Sequence, residues 1–170
     1  MTGFRPMFWG MLFLLDFRIN GWDLLPDAVG YGLLYGGLSA LSAKSTSFSS
    51  GSKLALILML ISLPDLNQSW LGGSPFYFAY QLILIGLHLC MIYSITKGIQ
   101  ELAIIQDRTD LYDAAQSRWR LFLAGCCLTV LMMTGLIAAA PILILVWIFS
   151  LITYVLMMEL LSRCGSVFVD

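Results

Sequence analysis

Five stretches of this chain are apolar, nearly free of charged residues, and long enough or almost long enough to cross a lipid bilayer. The composition agrees, because 59% of the 170 residues are hydrophobic, 11% are charged and the mean hydropathy is +0.88. An average soluble domain has about 45–50% apolar and about 25% charged residues. The sequence therefore predicts a multi-pass membrane protein and excludes a soluble enzyme. A net charge of -1 gives no basic surface for nucleic acid.

These stretches predict an all-α fold, a polytopic integral membrane protein in which residues 1–170 form one domain of six transmembrane helices. The first helix, over about 6–20, is short, because such a helix reaches only roughly 22 Å. The third begins at Leu54 and is kinked or broken at Pro64, since proline cannot continue the helical hydrogen bonds. The other four are expected over 26–43, 75–96, 121–139 and 141–161.

Prolines and polar stretches mark the boundaries of these helices. The first turns are expected at Pro6, Pro26, Pro75 and Pro141. Proline is well accommodated there because the first helical position needs no N–H donor. The stretch 44–53 is rich in Ser and Gly and predicts a flexible loop. The stretch 97–119 mixes charged and apolar residues and predicts a cytoplasmic, amphipathic surface segment.

Basic residues indicate the orientation of the helices. With six spans and an inside N-terminus, Arg18 is the basic residue of the outer side. The inner side then holds Arg5, Lys44, Lys53, Lys97, Arg108, Arg118, Arg120 and Arg163. Lys and Arg concentrate on the cytoplasmic side of membrane proteins. This split predicts that both termini are cytoplasmic.

The residue types that could act in catalysis or bind a metal show no catalytic or metal-binding pattern in this sequence. The cysteines have no CxxC or metal-ligand spacing, and they are Cys90, Cys126, Cys127 and Cys164. We interpret all four as reduced, small apolar side chains. Motifs of serine hydrolases, zinc proteases and phosphate-binding loops are also missing from the sequence. The sequence thus predicts no catalytic residue, no metal and no cofactor.

Two outer segments concentrate polar residues and supply candidate ligand-binding side chains. The first lies between the first two helices, and the second follows Pro64. The candidates are Asp16, Arg18, Asn20, Asp23, Asp27, Asp65 and Asn67. The outer side is net negative, so a pocket there would favour a cation or an amine.

The same segments have a purely structural interpretation. Asn20-Gly21 is a turn signal, because both residues tolerate positive φ. Asp23 and Asp27 flank the start of the second helix, where the helix dipole favours negative charge. Under either interpretation Arg18 is expected to pair with a carboxylate from another part of the fold, which would be Asp23, Asp27 or Asp65.

A polar stripe crosses the fourth predicted helix. Tyr77, Gln81 and His88 are spaced by four and seven residues, which places them on one helix face. Such a stripe is expected to point into the bundle rather than to lipid. It either joins helices through hydrogen bonds or contacts a ligand.

Small residues line one face of the second predicted helix. Gly32, Gly36 and Ala40 follow the spacing at which another helix backbone can approach closely. The pattern predicts tight helix packing, with a helix of this chain, of a protein partner or of a second copy.

The outer segment between the first two helices also carries a resemblance. Asp16-Phe-Arg-Ile-Asn-Gly-Trp-Asp-Leu-Leu-Pro-Asp27 resembles the N-terminal hairpin of small, uncharacterised bacterial multi-pass membrane proteins with a D-F-R-x-N-G-x-D-x-x-P-D pattern. This implies a location in the bacterial plasma (inner) membrane and brings no known activity. In size, number of spans and orientation, the chain is similar to the substrate-binding subunits of energy-coupling-factor transporters.

Three functional hypotheses follow. The first is the binding or transport of a small cationic or amine-bearing solute through the outer polar residues and the Tyr77–Gln81–His88 stripe. The second is a non-catalytic interaction protein, such as an immunity, signalling or assembly factor, that acts through the glycine face and the cytoplasmic segment. The third is an intramembrane enzyme. The concentration of polar side chains in one half of the membrane favours the first.

Overall fold

The structure is a computed structural model that describes residues 3–15, 18–19, 22–23, 27–63, 75–135 and 140–168. These residues form six helices: α1 (Phe4–Phe13), α2 (Asp27–Leu41), α3 (Thr46–Ile61), α4 (Pro75–Ile105), α5 (Thr109–Met133) and α6 (Ala140–Val167). Between α1 and α2, two short strands, β1 (Arg18–Ile19) and β2 (Trp22–Asp23), pair antiparallel. The fold is therefore helical, with one minimal hairpin.

The helices form a closed ring. Each helix packs against its neighbours along the chain, and α6 packs against α1. Successive helices run in opposite directions, so the starts of α1, α3 and α5 meet the ends of α2, α4 and α6. The ring of Phe4 illustrates this, because it lies 6.2 Å from that of Phe48 and 5.7 Å from that of Phe168. Apolar side chains from all six helices fill the centre.

One end of the ring contains the starts of α1, α3 and α5 and the ends of α2, α4 and α6. We call it the charged end. Among the side chains that the structure describes, every charged one except that of Asp27 belongs to the turns nearest this end. The remaining length of the helices is apolar. Large apolar side chains there are also more than half exposed, including Leu60, Phe76, Ile83, Ile144, Leu145 and Trp147. Exposed apolar surface on this scale is typical of contact with a membrane or with another protein.

Of the helices in the described residues, two are long and apolar enough to cross a membrane, over Phe76–Ile105 and Pro141–Val167. Helices α1, α2 and α3 have 10, 15 and 16 residues. At 1.5 Å per residue these three reach roughly 15–24 Å, less than the ~30 Å of a bilayer core. Length and composition thus point to membrane association through α4 and α6.

Helix α1 is shorter than the sequence predicts. It ends at Phe13, whereas the apolar pattern predicts a helix to about residue 20. The structure instead has a strand at Arg18–Ile19, which pairs antiparallel with Trp22–Asp23. This pairing of the backbone competes with continuation of the helix.

Helix α3 begins earlier than the sequence predicts. The residues expected to form a flexible loop are its first two turns, which start at Thr46. The hydroxyl of Ser45 caps the helix by accepting a hydrogen bond from the Ser47 amide at 3.0 Å. Phe48 is fully buried, so the turn also packs against the core. Composition alone misses this, because capping and burial override a high serine content.

A carboxylate of α4 fastens the start of α3. The Ser47 hydroxyl donates to Glu101 Oε1 at 2.8 Å, and the Ser45 hydroxyl donates to the other carboxylate oxygen. A negative charge at the start of a helix is also favoured by the helix dipole. Glu101 therefore joins two helices at the charged end.

The segment 97–119 is the tip of a helical hairpin. Helix α4 continues to Ile105, and α5 begins at Thr109 after a tight turn. The Arg108 amide donates to Ala103 O at 2.8 Å, and Asp107 has a φ of 53°. This is the arrangement of a Schellman turn, in which the residue with positive φ ends the helix.

Ion pairs connect this hairpin to the end of α6. The Arg108 guanidinium donates two hydrogen bonds to Asp110, at 3.0 and 3.1 Å, and lowers the pKa of that carboxyl below its ordinary value. Arg163 lies 3.5 Å from Asp110 and 3.9 Å from Glu159, which also accepts from Arg118 at 3.4 Å. These pairs are largely solvent-exposed, so each contributes little to stability. Together they connect the first half of α5 to the end of α6.

The backbones of α1 and α2 pack closely, and this packing depends on glycines. A Cβ built on Gly37 would overlap the Gly3 carbonyl oxygen and the Met7 side chain. A Cβ on Gly10 would lie 2.8 Å from the carbonyl oxygen of Gly30. The glycine pair Gly30 and Gly37 therefore carries the contact with α1.

The predicted packing face of α2 lies elsewhere on the helix. A Cβ on Gly32 would meet the Met59 sulfur at 3.4 Å, an ordinary side-chain contact. Gly36 and Ala40 are exposed, and nothing lies within 4 Å of a Cβ built on Gly36. Packing of this face against a partner or a second copy stays a prediction.

We expect Gly37→Ala to lower the unfolding temperature in detergent, because the added methyl group must push α1 away from α2. Overpacking of this kind costs about 1–3 kcal/mol. Gly36→Ala is the matched control: it adds the same group one residue away and should gain up to about 1 kcal/mol in helix propensity. Equal effects of the two substitutions would contradict the proposed backbone contact.

A second prediction concerns the turn between α4 and α5. Asp107→Gly should maintain or raise thermal stability, since glycine adopts positive φ without strain. Asp107→Val should lower stability by about 1–2 kcal/mol, because a β-branched residue is strained in the left-handed region. The side chain is exposed, so lost packing cannot explain a difference between the variants.

Candidate functional site

A cavity of about 220 Å³ lies inside the ring, between α2, α4, α5 and α6. Its wall combines apolar side chains with hydroxyl, amide and imidazole groups. The lining residues are Leu14, Tyr31, Gln81, Leu84, Ile85, His88, Phe122, Gly125, Cys126, Thr129, Ser150, Thr153 and Tyr154. We call it the His88 cavity. A mostly apolar pocket with a few converging polar groups is the usual form of a small-molecule site.

His88 is the centre of the polar wall, and only 8% of its surface is exposed. The Tyr31 hydroxyl lies 3.1 Å from Nδ1, and the Tyr154 hydroxyl lies 3.3 Å from Nε2. A neutral imidazole has one donor and one acceptor nitrogen. One tyrosine therefore donates to the ring and the other accepts from it. These two bonds join α2, α4 and α6.

Aromatic rings surround the imidazole. The Phe122 ring lies 5.8 Å from that of His88 and 5.1 Å from that of Tyr154. These distances fall within the range of favourable aromatic contacts. Phe122 is on α5, so the cluster contains side chains from four helices. The site is thus a cluster of aromatic side chains whose polar atoms are the two tyrosine hydroxyls and the imidazole nitrogens.

Further polar groups line the cavity beside the imidazole. The hydroxyls of Thr129 and Thr153 donate to carbonyl oxygens four residues earlier, at 3.0 and 2.9 Å. Their oxygens can still accept a hydrogen bond. Gln81 and Ser150 have no hydrogen-bond partner in the part of the chain that the structure describes. These groups can bind a ligand that donates and accepts hydrogen bonds.

A second cavity adjoins the first near the end of α1. It measures about 310 Å³ and shares Leu14, Thr129, Ser150 and Tyr154 with the His88 cavity. Its remaining lining residues are Leu15, Trp147 and Leu151. Trp147 is 60% exposed on the outer surface of the ring. The two cavities therefore lead from the interior towards the apolar exterior.

The structure brings together part of the predicted polar stripe. Gln81 and His88 line the cavity, whereas Tyr77 lies half-buried on α4 and is not part of the wall. The sequence predicts Gln81 and His88 from their spacing of seven residues, which keeps them on one helix face.

Most of the predicted outer residues lie outside the described part of the chain. These are Asp16, Asn20, Asp65 and Asn67. Arg18 and Asp23 face each other in the backbone register of the hairpin, while their side chains are outside the described part. Asp27 is the first residue of α2, as expected for a carboxylate at a helix start. A ligand-binding role for this group stays a prediction.

Several residues that line the His88 cavity could not be predicted from the sequence. Tyr31, Phe122, Thr129 and Thr153 look like ordinary residues of apolar helices. They belong to three helices, α2, α5 and α6, and only the packing of the ring brings them to His88. Among the described residues no three His, Cys, Asp or Glu side chains are grouped so that they could hold a metal ion.

Comparisons of the chain with protein-family models, with curated proteins and with solved structures found no match. The function must therefore be inferred from the arrangement of the residues.

We expect Tyr31→Phe to lower thermal stability by about 1 kcal/mol, because it removes one hydrogen bond of the buried imidazole. Tyr35→Phe is the matched control, since Tyr35 lies one turn further along α2 and is 37% exposed. Thermal unfolding of both variants in the same detergent measures the difference. Equal stability of Tyr31→Phe and Tyr35→Phe would show that the contact with His88 contributes nothing.

Proposed function

We propose that this chain is a six-helix membrane protein that binds a small, uncharged, partly apolar solute in the His88 cavity. The observation that carries the proposal is the cavity itself, where polar side chains from α2, α4, α5 and α6 converge inside an apolar ring. The primary role that we propose is binding. Transport of the solute would require, in addition, that access to the same cavity changes.

The proposed location is the bacterial plasma membrane, with the charged end and both termini in the cytoplasm. Exposed apolar side chains on α3, α4 and α6 support contact of the ring with lipid. Basic residues outnumber acidic ones at the charged end, as expected for a cytoplasmic face. The D-F-R-x-N-G-x-D-x-x-P-D resemblance supports the bacterial membrane.

The chemistry of the cavity favours an uncharged ligand. The described lining contains no charged side chain, so a cation or an anion would be buried without a counter-charge, which is costly. A cationic solute, as the sequence suggests, would depend on outer carboxylates whose side chains lie outside the described residues. A volume of about 220 Å³ exceeds the ~150 Å³ that holds benzene in an engineered cavity. A small ring compound with hydroxyl or amide groups fits these limits.

The adjoining cavity supports entry of the solute from the membrane. It connects the site to the surface beside Trp147, which is covered by lipid if the ring spans the bilayer. A partly apolar solute concentrates in lipid and could reach Ser150 and Tyr154 by this route. A strongly hydrophilic solute would not.

The test is native mass spectrometry of the purified protein, together with Gln81→Leu and its control Gln100→Leu on the same helix. We expect a bound small molecule in the wild type. Gln81→Leu should weaken its retention about tenfold, the effect of one hydrogen bond of roughly 1.4 kcal/mol. Gln100→Leu should retain it, because Gln100 does not line the cavity.

Two results would contradict the proposal. The first is equal retention of the molecule by both variants, which would place it outside the His88 cavity. The second is a wild-type protein with no small molecule but with a stoichiometric protein partner. That result would favour an interaction protein that uses the exposed face of Gly36 and Ala40.

A further inference from the structure

A groove of about 390 Å³ runs between α1 and α6 at the charged end. We call it the α1–α6 groove, and it is lined by Phe4, Arg5, Phe8, Trp9, Leu161, Ser162, Gly165 and Ser166. It does not share a residue with the His88 cavity. One wall is aromatic, and the rim carries a guanidinium and two hydroxyls.

The guanidinium of the groove, that of Arg5, differs in its pairing from those of three other arginines at the charged end. Arg108, Arg118 and Arg163 each lie within 4.0 Å of a carboxylate. Arg5 is exposed and has no carboxylate partner in the described part of the chain. Among the described residues, no carboxylate therefore competes with an outside anion for this guanidinium.

The aromatic wall shows what else the occupant must contain. Trp9 is 48% exposed, and its ring contacts that of Phe8 at 5.6 Å. Tryptophan is enriched where the headgroups of a bilayer meet its hydrocarbon core. An inorganic anion would leave this apolar wall uncovered, whereas a lipid would place its acyl chains there.

We propose that the α1–α6 groove binds an anionic phospholipid. The phosphate pairs with the guanidinium of Arg5 and accepts a hydrogen bond from the Ser162 hydroxyl. The acyl chains lie along Phe8 and Trp9. Basic pockets between helices on the cytoplasmic side are suited to such headgroups. The inference depends on the membrane location proposed above, and it is independent of a ligand in the His88 cavity.

The experiment measures lipid binding to the purified full-length chain by native mass spectrometry. The probes are phosphatidylglycerol, which is anionic, and phosphatidylcholine, which is zwitterionic. We expect the wild type to bind phosphatidylglycerol at least about fivefold more tightly, the factor that one basic residue gives near an anionic lipid. Arg5→Gln should remove this preference.

Three further variants keep the test specific. Lys53→Gln removes another exposed basic residue at the charged end, outside the groove, and should keep the preference. Ser162→Phe fills the groove while Arg5 remains, and it should weaken the binding of phosphatidylglycerol. Gln81→Leu in the His88 cavity should leave lipid binding unchanged, which separates this proposal from the proposed function.

Four outcomes would overturn the proposal. The wild type could bind both lipids equally, or Arg5→Gln could keep the wild-type preference. Lys53→Gln could weaken phosphatidylglycerol binding as much as Arg5→Gln does, which would indicate diffuse attraction to the charged end. Displacement of the lipid by millimolar inorganic phosphate would assign the site to a free anion instead.

Discussion

The buried imidazole of His88 is the constraint on which the centre of this protein depends. A ring nitrogen without a partner is costly in an apolar interior, so both nitrogens require a hydrogen bond. Tyr31 and Tyr154 supply these bonds from α2 and α6. The rotation of both helices about their axes is thereby restricted, because another residue at either position would leave the imidazole unsatisfied. The wall of the cavity follows from this arrangement.

Outside the His88 cluster, polar contacts and close backbone packing hold the helices together. At the charged end, Glu101 binds the start of α3, and Asp110 joins the α4–α5 turn to α6. Glycines allow α1 and α2 to touch along their backbones, from Gly3 and Gly37 at the charged end to Gly10 and Gly30 further along the helices. Polar contacts thus join α3 to α4 and α5 to α6 at the charged end, whereas backbone packing joins α1 to α2.

Unequal helix length explains where the cavity can be reached. Helices α4, α5 and α6 have 31, 25 and 28 residues, whereas α1 has 10. Because α1 ends at Phe13, α6 extends beyond it, and Leu14 and Leu15 line the adjoining cavity. The proposed entry from the membrane depends on this difference in length. The α1–α6 groove, in contrast, lies where α1 and α6 do pack together.

The sequence by itself determined the helical class, the start of α4 at Pro75 and the inward stripe of Gln81 and His88, because hydrophobic periodicity and proline act locally. It was wrong about the end of α1 and the start of α3, where strand pairing and the burial of Phe48 override composition. Tyr31 and Tyr154 lie 57 and 66 residues from His88 along the chain, and only the tertiary structure decided that they contact it. The same holds for the packing of α2, where Gly30 and Gly37 contact α1 while Gly36 is exposed. All three glycines belong to α2. The neighbour that each one contacts depends on which face of α2 is turned towards α1, and packing of the whole ring decides this.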